Sequence, residues 1–411
     1  MTRVVVTGFG ALSPLGHDWA TVHARLQSRQ NAIQKIEEWA EYEGLNTQVG
    51  APAQSFELPT ERYNRKSTRS MGRVALMAVR ASEIALQDAG LLGDPVLKSG
   101  RVGIAYGSSS GTPKSIGDFG RMIINKSTEG INATTYIKMM SHTAAVNIGV
   151  FFGLTGRIVT TSSACTSGSQ GIGYAYEMVK NGKQTAMLAG GAEELDATEA
   201  AVFDTLFATS VKHNGTPNLT PRPFDANRDG LVLGEGACTL VLESLDHALA
   251  RGAKIHAEVI GYGTNSDGLH VTQPNAQTMA QAMHLALEDA GLTPDRIAYV
   301  NAHGTATEHG DVAESIATHS VFGPGVAISS LKSYMGHTLG ACGALEAWMS
   351  IEMMRSGWFA PTLNLETVDP RCAPLDYITG DGRELQTDVV MSNNFAFGGI
   401  NTSLIFQRWN G

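Results

Sequence analysis

No two of the four cysteines, Cys165, Cys238, Cys342 and Cys372, have the Cys-x-x-Cys spacing of a zinc ribbon or a thioredoxin-like site. No Gly-x-x-x-x-Gly-Lys-Ser/Thr sequence occurs, so a P-loop is absent. No apolar run reaches the roughly 18 residues of a membrane span. The opening MTRVVVTGFG lacks the charged-then-apolar layout of a secretory signal. Basic residues are short, 30 against 39 acidic, for a net charge of −9. That argues against nucleic acid as the main partner, since phosphate binding needs clustered Lys and Arg. A local basic patch that docks an acidic protein stays compatible with it. The expectation is a cytoplasmic protein without membrane insertion, in which a lone cysteine is inert core or a nucleophile.

What is present is a large core and much glycine. Hydrophobic residues make up 43% of the 411, and a chain this long buries roughly three quarters of its unfolded surface. Glycine supplies 46 of 411 residues, about 11%, against a usual share of roughly 7%. Proline is ordinary at 14, so this is not a collagen-like pattern.

The punctuation is that of an α/β protein: short β-branched runs ending in Gly, then helical periodicity. Val4 to Val6 leads into Thr7-Gly8-Phe9-Gly10, and Val102 to Tyr106 enters a Gly/Ser turn. Met71 to Asp88 reads as an amphipathic helix closed by Ala89-Gly90. Two segments recur in the same order. Ala85-Leu86-Gln87-Asp88-Ala89-Gly90-Leu91 returns as Ala286-Leu287-Glu288-Asp289-Ala290-Gly291-Leu292. Val6-Thr7-Gly8-Phe9-Gly10 returns as Val259-Ile260-Gly261-Tyr262-Gly263. The echoes predict two similar α/β halves meeting near residue 250, with a site at their junction. Their offsets, 201 and 253 residues, differ, so the first half carries an insertion.

Two familiar signatures are incomplete. Gly8-Phe9-Gly10 follows a strand, but a dinucleotide fingerprint needs a third Gly where Ser13 stands. Asp225 to Gly230 matches half a calcium loop, but loop position 12 is Gly236 rather than Glu. An Asx-type turn accounts for that segment better.

The segment around Cys165 is more informative. A strand from Ile158 runs into Ser162-Ser163-Ala164-Cys165-Thr166-Ser167-Gly168, and a helix follows to Lys180. A cysteine at a helix N-terminus meets free N–H groups and the positive dipole end, which favour thiolate and stabilise an oxyanion. This setting predicts a lowered thiol pKa. The other three cysteines read as core. Asn301-Ala302-His303-Gly304-Thr305-Ala306-Thr307 and Lys332 to His337 each follow a probable strand. His303 and His337 therefore lie where α/β sheets place their sites, with His309 a weaker candidate. Asn393 to Asn401 holds Phe395, Phe397, Gly398 and Gly399, a mobile-loop composition that could swing a Phe across a pocket.

Together these stretches resemble the β-ketoacyl-acyl-carrier-protein synthases of the thiolase superfamily, in the elongating Cys-His-His branch. The Arg228 to Ala237 stretch is a further signature, and the likeness covers essentially the whole chain. The resemblance implies a five-layered α-β-α-β-α thiolase-like fold made of two duplicated halves. Residues 1–250 would carry the nucleophile, and 251–411 the two His, the Lys and the gating loop. It implies an acyltransferase that performs a ping-pong decarboxylating Claisen condensation. No cofactor or metal is implied, since substrates ride on the phosphopantetheine of acyl carrier protein. The assembly implied is a homodimer or a heterodimer with a paralogous subunit.

By the same resemblance, Cys165 is the acylated nucleophile, and His303 and His337 hold the malonyl thioester oxygen. Lys332 orients His303, with Glu314 as its structural partner. The N–H groups of Cys165 and Phe397 form the oxyanion hole. Thr305 and Thr307 bind the phosphopantetheine arm, and Phe395 and Phe397 gate the acyl pocket. An Asn at position 337 would mark the chain-initiating synthases, and a Gln at 165 a non-condensing chain-length factor; neither holds. Ala396 stands where the family usually has Gly, Ile400 where it has Thr, and Glu308 where it has Pro or Asn. The β-carbon at 396 is expected to stiffen the gate, and Met139 and Met140 lie in the region expected to line the acyl pocket and dimer seam. These departures tilt the expectation from fatty-acid synthesis toward a type II polyketide or aryl-polyene pathway.

Overall fold

The computed structural model describes residues 2–411. Eleven strands form one sheet: β1 (Val4–Leu12), β2 (Val102–Gly107), β3 (Ile158–Thr160), β4 (Ala186–Glu193), β5 (Gly236–Ser244) and β6 (Ala257–Ser266), then β7 (Tyr299–Asn301), β8 (Ala327–Ser329), β9 (Asp376–Tyr377), β10 (Val389–Ala396) and β11 (Ile400–Arg408). Their spatial order is β9-β8-β7-β10-β11-β6-β1-β5-β4-β2-β3. With the short edge strand β9 set aside, each half therefore runs, in its own chain order, first-fifth-fourth-second-third. The senses agree as well. The first three strands of each half pair antiparallel, the remaining pairs are parallel, and β1 meets β6 antiparallel at the seam.

The recurring sequences explain the symmetry. Gly8 and Gly10 on β1 let the helix α1 (Arg73–Asp88) lie against the strand. A β-carbon at Gly10 would stand 1.9 Å from the Ala81 carbonyl oxygen. Gly263 on β6 meets α3 (Ala276–Ala290) the same way, 2.1 Å from the Ala282 oxygen. The Asp of each helical echo then clips its strand. Asp88 accepts the Phe9 N–H at 3.0 Å, and Asp289 the Tyr262 N–H at 3.2 Å. The pairing register slips at Thr7 in one half and at Ile260 in the other, the matching position. The insertion in the first half supplies short strands at 34–35 and 49–51 that pair with each other, and the second of them also pairs with 233–234.

Two helices fill the middle of the molecule, α2 (Ser167–Lys180) and α5 (Cys342–Ser356). Both pack on each other and on strands of both halves. Every residue of α5 from Cys342 to Met354 is buried, the pattern of a helix with no solvent face. With α1 on one outer face and α3 and α4 (Glu308–Phe322) on the other, the layers run α-β-α-β-α.

Candidate active site

Both central helices are entered through a tight 3₁₀ turn, Ala164–Thr166 before α2 and Leu339–Ala341 before α5. Ala164 and Leu339 hold the matching left-handed conformations, φ +50° and +45°. Such φ values strain a residue with a β-carbon, and here they aim the next residue at the junction. That residue is Cys165 in one half and Gly340 in the other. The ends of β7, β8 and β10 bring His303, Lys332, His337 and Phe395 to the same place. Parallel strands thus deliver their C-terminal loops to one point, the usual address of an α/β site.

Cys165, His303 and His337 are all buried and have donor atoms within 4.8 Å of one another. His337 Nε2 lies 3.0 Å from Cys165 Sγ. The opposite nitrogens fix the tautomers. His337 Nδ1 accepts the Leu339 N–H at 3.3 Å. His303 Nδ1 faces Lys332 Nζ at 3.2 Å and Asn394 Nδ2 at 3.5 Å, both donors. Each neutral imidazole therefore carries its proton on Nε2. Burial, then Lys332, hold both well below the ordinary His value, with His337 adding to the effect on His303. The donor types would suit a metal ion, but these tautomers turn a proton rather than a lone pair to the site.

The thiol departs from the expectation of a lowered pKa. Burial pushes Cys165 up to about 11, against the pull of Lys332 and of the N–H groups of Phe397 and Cys165 itself. At 4% exposure, loss of water outweighs the stabilising donors. Those two N–H groups do face the sulfur.

Lys332 is 1% exposed and forms an ion pair with Glu346, which is fully buried. Burial lowers the ammonium's pKa, but Glu346, with smaller contributions including Cys342, brings it above the ordinary Lys value. Glu314, expected as the partner of Lys332, does other work. Its two oxygens accept the His303 and Gly304 N–H groups at 2.7 Å each and hold that turn in shape. Burial raises its carboxyl to about 8. Glu346 carried no sequence signal beyond its place on an apolar helix. Its role follows from that helix starting beside the nucleophile.

Cys342, expected as plain core, belongs to the site's wall. Its thiol donates to the Cys165 carbonyl at 3.2 Å, and Asn394 Nδ2 stands 3.7 Å from its sulfur. Cys238 and Cys372 are buried away from the triad.

A cleft of about 690 Å³ leads from the surface to Cys165, His303 and His337. Thr305 and Thr307 line it, with their hydroxyls 2.9 Å apart. Glu308 and Arg371 stand in it as an exposed pair at 2.7 Å, beside His309. Phe395 lies edge-on to His303 at 6.1 Å, and Phe397 packs on Phe203 at 5.2 Å between ring centres. Ala396 sits in the extended end of β10, paired with Ile400, so its β-carbon costs no backbone strain. Gly398 and Gly399 take the left-handed conformations, and a β-carbon at Gly399 would meet Asp267 at 2.7 Å. Met139 packs its carbonyl against Gly111. The segment that matches half a calcium loop is an Asx turn, with Asp225 Oδ1 accepting the Asn227 N–H at 2.8 Å.

The chain is similar to known proteins over its whole length. Residues 1–248 match the β-ketoacyl synthase N-terminal domain, and 256–366 the β-ketoacyl synthase C-terminal domain. The 3-oxoacyl-[acyl-carrier-protein] synthase 1 of Haemophilus influenzae is 37% identical over 100% of both chains. The crystal structure of a β-ketoacyl synthase from Burkholderia phymatum has 60% identity and a TM-score of 0.98 over 100% of both chains. The ishigamide ketosynthase/chain length factor has 31% identity and a TM-score of 0.89, again over 100% of both. Two duplicated halves, a thiol beside two proton-bearing imidazoles, and full-length likeness on both sequence and structure lead to one conclusion: the chain belongs to the β-ketoacyl synthase family, condensing enzymes of thiolase-like fold.

Proposed function

We propose that the protein is an elongating 3-oxoacyl-[acyl-carrier-protein] synthase of a dissociated, type II system. The observation that carries this reading is the 3.0 Å contact of His337 Nε2 with Cys165 Sγ, beside a second imidazole of the same tautomer.

In the first half-reaction Cys165 attacks the acyl thioester of the carrier. The carrier's thiol leaves with the proton that the Cys165 thiol gives up. Malonyl-carrier then comes in along the cleft, its arm beside Thr305 and Thr307. The Nε2–H groups of His303 and His337 hold the malonyl thioester oxygen. As the C–CO₂ bond breaks, its electrons form an enolate on that oxygen, which two fixed donors in a dry site stabilise. The enolate carbon attacks the acyl-Cys165 carbonyl. The resulting oxyanion sits against the N–H groups of Phe397 and Cys165, and collapse releases a 3-oxoacyl chain and the Cys165 thiolate, which takes a proton from water. Phe395 and Phe397 guard the pocket between the arrival of the acyl chain and that of the malonyl unit. A non-condensing partner subunit fits less well, since such a subunit needs no seated thiol.

The carrier protein is the partner this chemistry requires. A second copy or a paralogous subunit is supported by edge strand β3, whose Ile158 is 47% exposed, near Val150 at 77%. Among the described residues no helix is long and apolar enough to cross a membrane.

Intact mass spectrometry of the protein with acyl-carrier proteins tests the reading. The wild type gains one acyl mass, Cys165→Ala gains none, and condensation with malonyl-carrier ceases. Continued condensation by purified Cys165→Ala overturns the mechanism.

A further inference from the structure

We infer that Glu199 and Ser110 form a hydrogen-bonding floor for the acyl chain on Cys165, and that the chain they accept carries a carbonyl or hydroxyl oxygen beyond its thioester. This rests on the synthase reading above and names its substrate class more narrowly.

The helix Ala197–Asp204 buries Ala197, Glu199, Ala200, Phe203 and Asp204. Leu206 and Phe207, just past its end, line the cleft and are 46% and 91% exposed. Phe203 lines the cleft deeper in, in the same apolar cluster as Cys165, Ala200 and Leu339. Glu199 is four residues before Phe203, so the two share a helix face one turn apart. An acyl chain running from Cys165 past Phe203, in the same apolar cluster, would come within one helical turn of Glu199.

Glu199 is 7% exposed. Its Oε1 accepts the Ser110 hydroxyl at 2.9 Å, and its Oε2 is buried with no hydrogen-bond partner. The neighbouring Glu193 is the informative contrast. Its oxygens are consumed by the Ser108 hydroxyl at 2.8 Å, the Ser109 N–H at 2.6 Å and the Gly340 N–H at 3.0 Å. Glu193 therefore fastens the Ser108 loop to the turn that mirrors the nucleophile's. It also lies near enough to Cys165 to act on its thiol. Glu199 holds nothing of that kind, and its free oxygen is not alone. The hydroxyls of Ser109 and of Ser163, two residues before Cys165, are also buried without partners.

Buried polar atoms in native proteins are normally satisfied. A hydrocarbon tail would leave these unpaired, whereas an oxygenated chain would satisfy them. Burial, then Glu193, push the Glu199 carboxyl well above its ordinary value and so favour its protonated form. With Oε1 accepting from Ser110, Oε2 offers a donor, and its complement is an acceptor oxygen on the chain. A site built around such a group discriminates against the analogue that lacks it.

The full chain is incubated with carrier proteins bearing saturated acyl chains or their mono-oxo counterparts of equal length, with the ketone at each successive carbon. Acylation of Cys165 is followed by intact mass. We expect at least one oxo chain to load about tenfold faster than its saturated counterpart, the worth of one satisfied hydrogen bond. Glu199→Leu abolishes that preference without abolishing loading, and Glu199→Gln, which keeps a donor, retains it. Should Glu199→Leu misfold, Ser110→Ala serves, since it frees Oε1 and weakens the preference. Equal loading of saturated and oxo chains by the wild type overturns the inference, as does a preference that survives Glu199→Leu. Failure of every chain to load removes the synthase reading itself, and the floor falls with it.

Discussion

Replacing Glu346 by Gln removes the counter-charge of Lys332 while nearly keeping the side chain's shape. The ammonium is 1% exposed, and its ion pair with Glu346 is the one it makes among the described residues. Taking one partner from a buried pair costs about 3–5 kcal/mol, because the remaining charge is left without compensation. The protein can escape that cost by losing the Lys332 proton. The same energy then appears as a drop of about 10²–10⁴ in the ammonium's proton affinity. A neutral amine accepts as well as donates, so His303 Nδ1 is free to take the proton, and Nε2 stops donating. Losing one such donor to a developing oxyanion costs about 10²–10³ in rate.

In the wild type, Lys332 stands above its ordinary value. Its stabilising contribution is whole below the unfolded value and is lost as pH rises through the still higher folded one. Decarboxylation by the wild type should therefore show no loss from this group between about pH 7 and 9. In Glu346→Gln that loss moves down into this window. The assay is CO₂ release from malonyl-carrier protein against pH, beside a thermal melt. Lys332→Met/Glu346→Leu, which removes both charges, should melt closer to the wild type than Glu346→Gln and still fail to decarboxylate. If Glu346→Gln shows the wild-type pH profile and melting point, the ion pair does not set the His303 tautomer, and the reasoning is refuted.

Alkylation of Cys165 by iodoacetamide should accelerate across the neutral range and keep rising toward about pH 11, as burial demands; a plateau near neutrality would show that the helix N-terminus and His337 Nε2–H outweigh burial. Gly10→Ala and Gly263→Ala should each destabilise by about 3 kcal/mol, since the new β-carbon meets helix backbone at 1.9 Å and 2.1 Å. Equal melting of either variant and the wild type would remove the close-packing account of the repeated glycines.

The chemistry and the duplication could be read from the chain because both are local. Cys165 between small residues, and His303 and His337 each just past an apolar run, are signals written within a few positions. The Gly and Ala of the echoes likewise state a helix–strand contact that needs no distant information. That both halves would share one strand order, and even one register slip, follows from the same pairing rules acting twice.

What needed tertiary structure was everything decided by burial and by residues far apart. Glu314 and Glu346 are both acids on helices near the site, and spacing does not say which one meets Lys332. The buried start of α5 decides it, placing Glu346 against the ammonium and leaving Glu314 to hold the His303 turn. The Cys165 thiol pKa depends on how much water remains, which no motif reports. Ala396 reads as a stiffened gate in sequence, yet its place at the end of β10 makes it an ordinary extended residue. The sequence by itself determined which atoms do the chemistry, through short-range patterns. The fold determined their charge states, tautomers and partners, because these depend on desolvation and on contacts between segments hundreds of residues apart.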